Sequence, residues 1–399
     1  MVLTEEMPGL RSASIGVWVR SGPVNETLEE MGVNHLLEHM VFKGTARRTS
    51  REIALVLERL GGSLDAYTTR EHTSFQARVL DEHIDLGLDV LADLVLNPLL
   101  RQEDLELERE VVLEEISTVE DTPDDLIFDL HSALLWGDHP YGYSILGTRE
   151  SVSRLSVAEL RRTHDRSYRR GNLVIAAAGN VEHDPFTGRV AEAFGTASAR
   201  AGNGSAPSPT EPAVRSETID RASAQTHVVF GARTFGHDDP RRYALVLLSN
   251  AFGGGMSSRL FQRVREELGL AYAVYSFQSF YRHGGMSGVY VGTRPEAAER
   301  AESVIRDEMT LLAAGGLTTD ELDDAKGQVK GQIVLSLESS SARLHRLAGT
   351  ALFNEPFRTM EETMACVDAV TAEEIAALAA EFFAPERQTV LRLGPEPKV

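Results

Sequence analysis

The sequence predicts an α+β protein of two homologous domains, each a largely antiparallel sheet packed with helices, joined by a linker. Two observations favour this class: helical and strand periodicities alternate along the chain, and the pattern of the first half returns in the second. At 399 residues the chain is too long for one ordinary hydrophobic core and suits two domains of about 200 residues each. Each half should therefore form its own core.

The first half combines capped helices with a strand hairpin. Thr49 and Glu52 form a capping box that begins a helix, and Gly61-Gly62 ends it. Apolar residues then alternate on both sides of the polar turn Arg70-Glu71-His72, which is a hairpin pattern. A second helical stripe ends before Pro98. Helices packed on a hairpin-built sheet are typical of an α+β domain.

A linker separates the halves. The stretch from Gly195 to Val214 is rich in Gly, Ser and Pro and has almost no large apolar residues. We therefore expect a first domain over residues 1–195, a linker over 196–214 and a homologous domain over 215–399.

Composition excludes several classes of function. The net charge of -20 argues against a nucleic-acid partner and favours basic or neutral substrates through long-range attraction. No apolar run approaches the roughly 20 residues of a membrane span, and the chain start lacks the features of a signal peptide. Cys366 is the only cysteine, which excludes an intrachain disulfide and a thiolate zinc site. We expect a soluble cytoplasmic protein without a membrane partner.

The motif His35-Leu36-Leu37-Glu38-His39 predicts a metal site. Histidines four residues apart lie on one face of a helix, so both imidazoles can bind one ion, for which zinc is the favoured metal. Glu38 then has the place of a general base for water, and the order His-x-x-Glu-His is the inverzincin signature. A chance match on a polar helix has a frequency of roughly a few in a hundred for a chain of this length, so the rest of the site decides.

An acidic segment from Gln102 to Asp125 offers a third ligand, which a catalytic zinc needs. Glu108 and Glu115 share one helical stripe. They stand about 10 Å apart along a helix, so only one of them can ligate the ion directly. The other suits the role of holding a ligating imidazole in the right tautomer. The remaining glutamates of the segment are interpreted as a solvated helix face: Glu106, Glu110, Glu114 and Glu120.

The second half repeats the first without its histidine motif. Ser12–Val19 resembles residues 224–231 as an alternating strand. A shift of 217 residues places Glu115 on Gln332 and brings the histidine helix onto residues 250–258, which contain no His-x-x-Glu-His. One half therefore keeps the predicted chemistry and the other has lost it.

Three motifs resemble the pitrilysin, or insulinase, family of zinc peptidases. The likeness covers nearly the whole chain and is closest to the short bacterial members related to the mitochondrial processing peptidase. The motifs are His35-Leu36-Leu37-Glu38-His39-Met40-Val41-Phe42-Lys43-Gly44-Thr45, Gly61-Gly62-Ser63-Leu64-Asp65-Ala66-Tyr67-Thr68 and Glu108-Arg109-Glu110-Val111-Val112-Leu113-Glu114-Glu115-Ile116.

The resemblance implies a role for each residue of the zinc site. The family's third ligand is a glutamate, and the glutamate at the matching separation, 76 residues after His39, is Glu115. His35, His39 and Glu115 would then hold one zinc ion in the first domain. Glu38 would be the base, and Glu108 would be the supporting carboxylate.

A substrate strand is also implied. An extended peptide would add to the strand that carries Asp65, Ala66 and Tyr67, with main-chain hydrogen bonds giving affinity and side-chain pockets giving preference. The family usually has Asn at the position of Asp65, so the chain departs from the pattern at this contact.

In the second half, residues 264–272 resemble the family's Arg and Tyr pair, which stabilises the bound peptide and the developing oxyanion. The pair is Arg265 and Tyr272 here. Without the resemblance, Arg265 is interpreted as a surface charge and Tyr272 as a strand residue. The glycine run 253–255 lacks a following Gly-Lys-Ser/Thr and so does not predict a nucleotide site; in the family this loop faces the peptide chamber.

The resemblance also implies an assembly. In the long single-chain members four such domains close around a chamber, with zinc in the first and the Arg and Tyr pair in the fourth. A chain with two domains would need a second copy or a homologue to complete this arrangement. We therefore expect a homodimer, or a heterodimer with a homologue.

The sequence thus predicts a zinc-dependent endopeptidase or oligopeptidase that hydrolyses extended or unfolded polypeptides enclosed in a chamber. The alternative is a non-catalytic, peptide-binding partner subunit of a heterodimeric processing peptidase. The intact set of His35, Glu38, His39 and Glu115 favours the enzyme, since an inactive partner has no need of all four.

Overall fold

Two compact units make up the protein in this computed structural model, which describes residues 1–195, 208–210 and 214–395. The first unit comprises Met1–Ser117, the described residues from 143 to 195, and Ser336–Phe357. The second comprises Thr118–Gly142, the described residues from 208 to 335, and those from 358 onward. Each unit therefore includes one helical segment from the other half of the sequence.

Ten strands form two sheets among the described residues. In chain order they are β1 Val2–Glu6, β2 Ser12–Val19, β3 Ser63–Thr68, β4 Thr73–Leu80, β5 Leu173–Gly179, β6 Ser216–Asp220, β7 Thr226–Thr234, β8 Ala271–Tyr281, β9 Gly284–Thr293 and β10 Thr389–Gly394.

Helices pack on both sheets. In chain order they are α1 Val33–Val41, α2 Ser50–Glu58, α3 Ile84–Leu96, α4 Gln102–Glu120, α5 Pro123–Trp136, α6 Arg149–Arg154, α7 Val157–Ser167, α8 His183–Phe194, α9 Arg242–Gly253, α10 Ala298–Gly315, α11 Thr319–Ser336, α12 Ser340–Leu352, α13 Met360–Asp368 and α14 Ala372–Phe382.

The first sheet has the strand order β1-β5-β2-β4-β3. Only the pairing of β1 with β5 is parallel. The predicted hairpin is confirmed as β3 and β4, and α2 begins at the predicted capping box of Thr49 and Glu52. Because β3 is the terminal strand, one of its edges has no strand partner in the described part of the chain.

The central strand β2 of this sheet is buried on both faces. Ile15 and Val17 of β2 belong to a core shared with α1, α3 and α7, whereas Trp18 packs on the opposite face against Leu344 and Leu347 of α12. The prediction of β2 as an alternating strand is confirmed, and the face that carries Trp18 is covered as well. The reason is that α12, which comes from the second half of the sequence, lies on it.

The second sheet repeats this topology with the order β6-β10-β7-β9-β8 and one parallel pair, β6 with β10. Its inner face packs on α9, α10, α11 and α14. Helix α5, from the first half of the sequence, covers the other face, where Phe128 stacks on Tyr290 with ring centroids 5.4 Å apart. The predicted α+β class and the two similar, largely antiparallel domains are therefore confirmed.

Most of the linker predicted over residues 196–214 lies outside the described residues. In the part of the chain that is described, no helix is both long and apolar enough to cross a membrane.

Candidate metal centre

Helix α1 carries the histidine motif, and its start is held by a buried carboxylate. Gly32 precedes the helix with a φ of 89° and has no side chain with which to cap it. Glu26 supplies the missing acceptor: it accepts from the backbone N–H groups of Gly32 and Asn34, at 2.8 and 2.9 Å, and from Asn34 Nδ2 at 2.7 Å. The segment that directly precedes His35 is therefore fixed.

His35, His39 and Glu115 meet at one point. The ring centroids of the two histidines are 4.7 Å apart. Each Nε2 atom lies 3.6 Å from an oxygen of Glu115, which projects from α4. The three potential donor atoms all lie within 4.8 Å of one another. No other cluster of this kind occurs among the described His, Cys, Asp and Glu side chains.

This donor set fits zinc. A tetrahedral zinc ion with bonds of about 2.0–2.1 Å holds its donors roughly 3.4 Å apart, close to the distances between the histidine nitrogens and Glu115. Burial and the neighbouring His39 lower the pKa of His35 to about 3, so the imidazole is neutral at pH 7, as a metal ligand must be. Two histidines and one carboxylate leave one position open, the pattern of a catalytic rather than a structural zinc site.

Glu108 lies beside this set and touches His39. Its Oε2 is 3.1 Å from His39 Nδ1, and its Oε1 is 2.5 Å from Lys43 Nζ. A carboxylate in this place accepts a hydrogen bond from Nδ1–H of His39 and so leaves Nε2 free to bind a metal. The structure therefore distinguishes the two candidate ligands of the acidic segment. Glu115 faces the Nε2 atoms of both histidines, whereas Glu108 contacts Nδ1 of His39.

Glu38 faces the same site from the middle of α1. Burial raises the pKa of its carboxyl above the ordinary value, and a hydrogen bond from Thr68 and the neighbouring His39 act in the opposite direction. The Thr68 hydroxyl lies 2.5 Å from Oε2. A carboxylate so placed can accept a proton from water near the metal and release it again.

Two family models match successive parts of the chain. Residues 1–149 match the insulinase family, peptidase family M16, and residues 154–329 match the peptidase M16 inactive domain. The half that carries His35, His39 and Glu115 is thus the one that matches the peptidase.

Relatives that match over nearly the whole chain are described as zinc proteases. An uncharacterized zinc protease of Mycobacterium leprae is 40% identical over 99% of this chain and 89% of its own length. The chain belongs to the insulinase family, peptidase family M16. A second relative, the uncharacterized zinc protease YmxG of Bacillus subtilis, is 38% identical over 96% of this M16 chain and 93% of its own length. The predicted resemblance is therefore confirmed.

Two solved structures share the fold. A peptidase M16 inactive domain protein from Pseudomonas fluorescens superposes with a TM-score of 0.93 at 24% identity, covering 99% of this chain and 95% of its own. A protease from Helicobacter pylori has a TM-score of 0.91 at 20% identity, with 99% and 96% covered.

The predicted substrate residues of this M16 protein lie on β3, at the free edge of the first sheet. Asp65, Ala66 and Tyr67 pair with β4 on one side, and no other strand of the described residues pairs with them on the other. Ala66 packs toward the core, while the Tyr67 hydroxyl accepts a hydrogen bond from Trp18 Nε1 at 3.3 Å on the other face. Their contact with a peptide stays a prediction.

Arg265 and Tyr272 lie in the second unit of this M16 protein and contact each other. Arg265 Nη1 donates to the Tyr272 carbonyl oxygen at 3.0 Å, and its guanidinium lies 4.4 Å from the centroid of the Tyr272 ring. Arg265 belongs to a π-helical segment, Phe261–Glu267, a form often found at functional sites. Tyr272 is 77% exposed, so the ring and hydroxyl are available to a ligand. Their role toward substrate stays a prediction.

Sequence reasoning gave no role to three residues that the geometry places around the site: Glu26, Lys43 and Thr68. Lys43 follows His39 by four residues, and this spacing could have indicated a side chain on the same face. Glu26 and Thr68 had no comparable signal, since their contacts with Gly32, Asn34 and Glu38 depend on the folded arrangement of separate segments.

Glu108→Gln is expected to weaken zinc binding or activity of this M16 protein by roughly 10- to 100-fold, the usual loss when a partner of a ligating histidine is removed. The neutral amide cannot balance Lys43 and accepts more weakly from His39. Zinc affinity by chelator competition and kcat/KM check this. Glu110→Gln is the matched control, because Glu110 is exposed on the same helix. Equal, negligible effects at both positions would contradict the assigned role.

Glu26 should make the stability of the first unit depend on pH. Burial raises the pKa of its carboxyl to about 7 despite its three N–H donors. Because folding raises the pKa of this acid, the free energy of unfolding is greatest below pH 4.5 and falls as the pH rises toward 7. Above pH 7 it is lower by about 3 kcal/mol. Urea unfolding of wild type and Glu26→Gln between pH 4.5 and 8 measures this difference. A difference that does not change with pH would contradict it.

Proposed function

We propose that this chain is a zinc-dependent endopeptidase or oligopeptidase that hydrolyses extended or unfolded polypeptides enclosed in a chamber. The observation that carries the proposal is the convergence of His35, His39 and Glu115, with their donor atoms within 4.8 Å, beside the carboxylate of Glu38. The zinc protease descriptions of its relatives support the same reaction class.

In this proposal His35, His39 and Glu115 bind one zinc ion per chain. Zinc bound there would supply a Lewis acid that polarises the scissile peptide carbonyl and favours ionisation of nearby water. Neutral His35 is ready to ligate, and Glu108 holds His39 in the tautomer that presents Nε2.

Glu38 provides the proton transfers. Its carboxylate takes a proton from the water that attacks the carbonyl carbon, and it returns that proton to the nitrogen of the breaking C–N bond. The products are a carboxylic acid and an amine, which between them hold both protons of the water. Burial raises the pKa of Glu38, which makes the carboxylate a stronger base than an exposed glutamate.

The edge of β3 is proposed to bind the substrate. A peptide that added there as a further strand would pair with the backbone around Asp65, Ala66 and Tyr67, with alternate side chains directed to opposite faces. The absence of a strand partner at this edge in the described structure supports this placement.

The active form is proposed to be a homodimer, or a heterodimer with a homologue. Its proposed location is the cytoplasm. Arg265 and Tyr272 of one chain would then serve the zinc site of the other. The support is the match of residues 154–329 to the M16 inactive domain, together with the exposed Tyr272 and its contact with Arg265.

A mixed peptide library tests the proposed function. The purified chain is incubated with the library in three states: zinc-loaded, treated with a chelator, and reloaded with zinc. Mass spectrometry of the fragments should show cleavage that the chelator abolishes and zinc restores. Peptide binding without cleavage by the zinc-loaded chain would instead support the non-catalytic partner subunit.

A further inference from the structure

Thr68 is the last residue of β3, and its side chain reaches the proposed base from outside the metal-binding helices. Its Oγ1 lies 2.5 Å from Glu38 Oε2. The zinc donors themselves come from α1 and α4. The base is thus held by the strand proposed to carry substrate.

The direction of this hydrogen bond follows from counting protons. Thr68 Oγ1 also lies 3.3 Å from Thr73 Oγ1, but the single hydroxyl proton of Thr73 is donated to the Ser21 carbonyl oxygen at 3.1 Å. An ionised carboxylate has only acceptors. The Thr68 hydroxyl therefore donates its hydrogen bond to Glu38.

The consequence is that the two oxygens of Glu38 differ. Oε2 is fixed by Thr68, whereas Oε1 makes no hydrogen bond to the protein in the described part of the chain. The Oε1 atom is thus the one available to accept a proton from water. A carboxylate that could rotate freely would present this oxygen in the productive direction for only part of the time.

We propose that Thr68 is a positioning residue that orients Glu38 for proton transfer through its hydroxyl. This inference rests on the proposed peptidase function.

Three substitutions test the proposal: Thr68→Val, Thr68→Ser and Thr73→Val. Thr68→Val keeps the shape of the side chain and removes the donor, so kcat should fall roughly 10- to 100-fold, the range for loss of a hydrogen bond to a charged group. KM and zinc content should stay unchanged, since neither the β3 backbone nor a zinc ligand is altered. Thr68→Ser restores the hydroxyl and should recover most of kcat.

Thr73→Val is the matched control. Thr73 stands directly opposite Thr68 in the β3–β4 ladder, and the change removes a buried hydroxyl of the same kind without touching Glu38. Its kcat should remain near that of wild type. All variants are assayed with one peptide cleaved by the wild-type chain, with zinc content and circular dichroism measured in parallel.

The outcomes separate this inference from the function on which it rests. A zinc-loaded wild-type chain that cleaves no peptide overturns both. Cleavage by the wild type with an unchanged kcat for Thr68→Val overturns the inference alone. The inference also fails if Thr68→Ser is as impaired as Thr68→Val, or if Thr73→Val loses as much kcat as Thr68→Val.

Discussion

Glu38→Gln should nearly abolish peptide hydrolysis while the protein keeps its zinc. Glu38 directly precedes His39 in the chain but does not belong to the donor set of His35, His39 and Glu115, and its proposed task is proton transfer. The amide has no basic oxygen, and loss of a general base costs typically 10²- to 10⁴-fold in rate. Zinc content by elemental analysis and kcat on a cleaved peptide check both halves of the expectation.

Glu115→Gln should have the opposite signature. This change replaces an anionic ligand by a neutral one, so zinc itself should be bound more weakly and activity should fall for that reason. Glu114→Gln is the matched control, because it removes the same charge from the neighbouring, exposed position of α4. A metal-free Glu38→Gln protein together with a fully loaded Glu115→Gln protein would show that the two roles are assigned the wrong way round.

Mixing two inactive variants should restore activity if the site is completed by a second chain. Glu38→Gln lacks the base and Tyr272→Phe lacks the proposed oxyanion donor, so each homodimer should be nearly inactive. In a mixed dimer one hybrid site would combine an intact Glu38 with an intact Tyr272. The activity of the mixed dimer should therefore exceed that of either variant homodimer by a large factor.

The measurement needs a verified mixed dimer. Differently tagged chains are unfolded together, refolded, and purified by both tags before assay against the two parents. The combination Glu38→Gln with Glu115→Gln is the control, because both changes lie in the zinc half and no hybrid site is intact. A mixed dimer of Glu38→Gln and Tyr272→Phe without recovery, or an active species that sediments as a monomer, would contradict completion in trans.

Local sequence was enough to predict much of the first unit. The capping box of Thr49 and Glu52, the turn 70–72 and the stripe that ends before Pro98 each correspond to an element of the structure. These signals work because they depend on neighbours within a few residues along the chain. The spacing of His35 and His39 works for the same reason, since four residues make one helical turn.

The repeat was also readable from sequence, and it is the reason the topology of the second unit could be anticipated. The strand orders β1-β5-β2-β4-β3 and β6-β10-β7-β9-β8 are the same. A shift of 217 residues relates the start of α4 at Gln102 to the start of α11 at Thr319. Equivalent apolar patterns bury equivalent faces, so a repeated pattern predicts a repeated fold.

Other features were decided only by the tertiary structure. The exchange of α5 and α12 between the units could not be predicted, because a helix stripe says that a face will be buried but not against which sheet. For the same reason the alternating pattern of β2 did not show that Trp18 packs against α12.

At the site, the sequence by itself determined which residue types could bind zinc. It left open whether Glu108 or Glu115 is the third ligand, and only the family resemblance favoured Glu115. The folded chain separates them, since Glu115 faces both histidine Nε2 atoms and Glu108 bridges His39 and Lys43. The contact of Thr68 with Glu38 likewise joins residues 30 positions apart. Spacing along one helix defines a face, but only packing between segments determines which atoms meet across it.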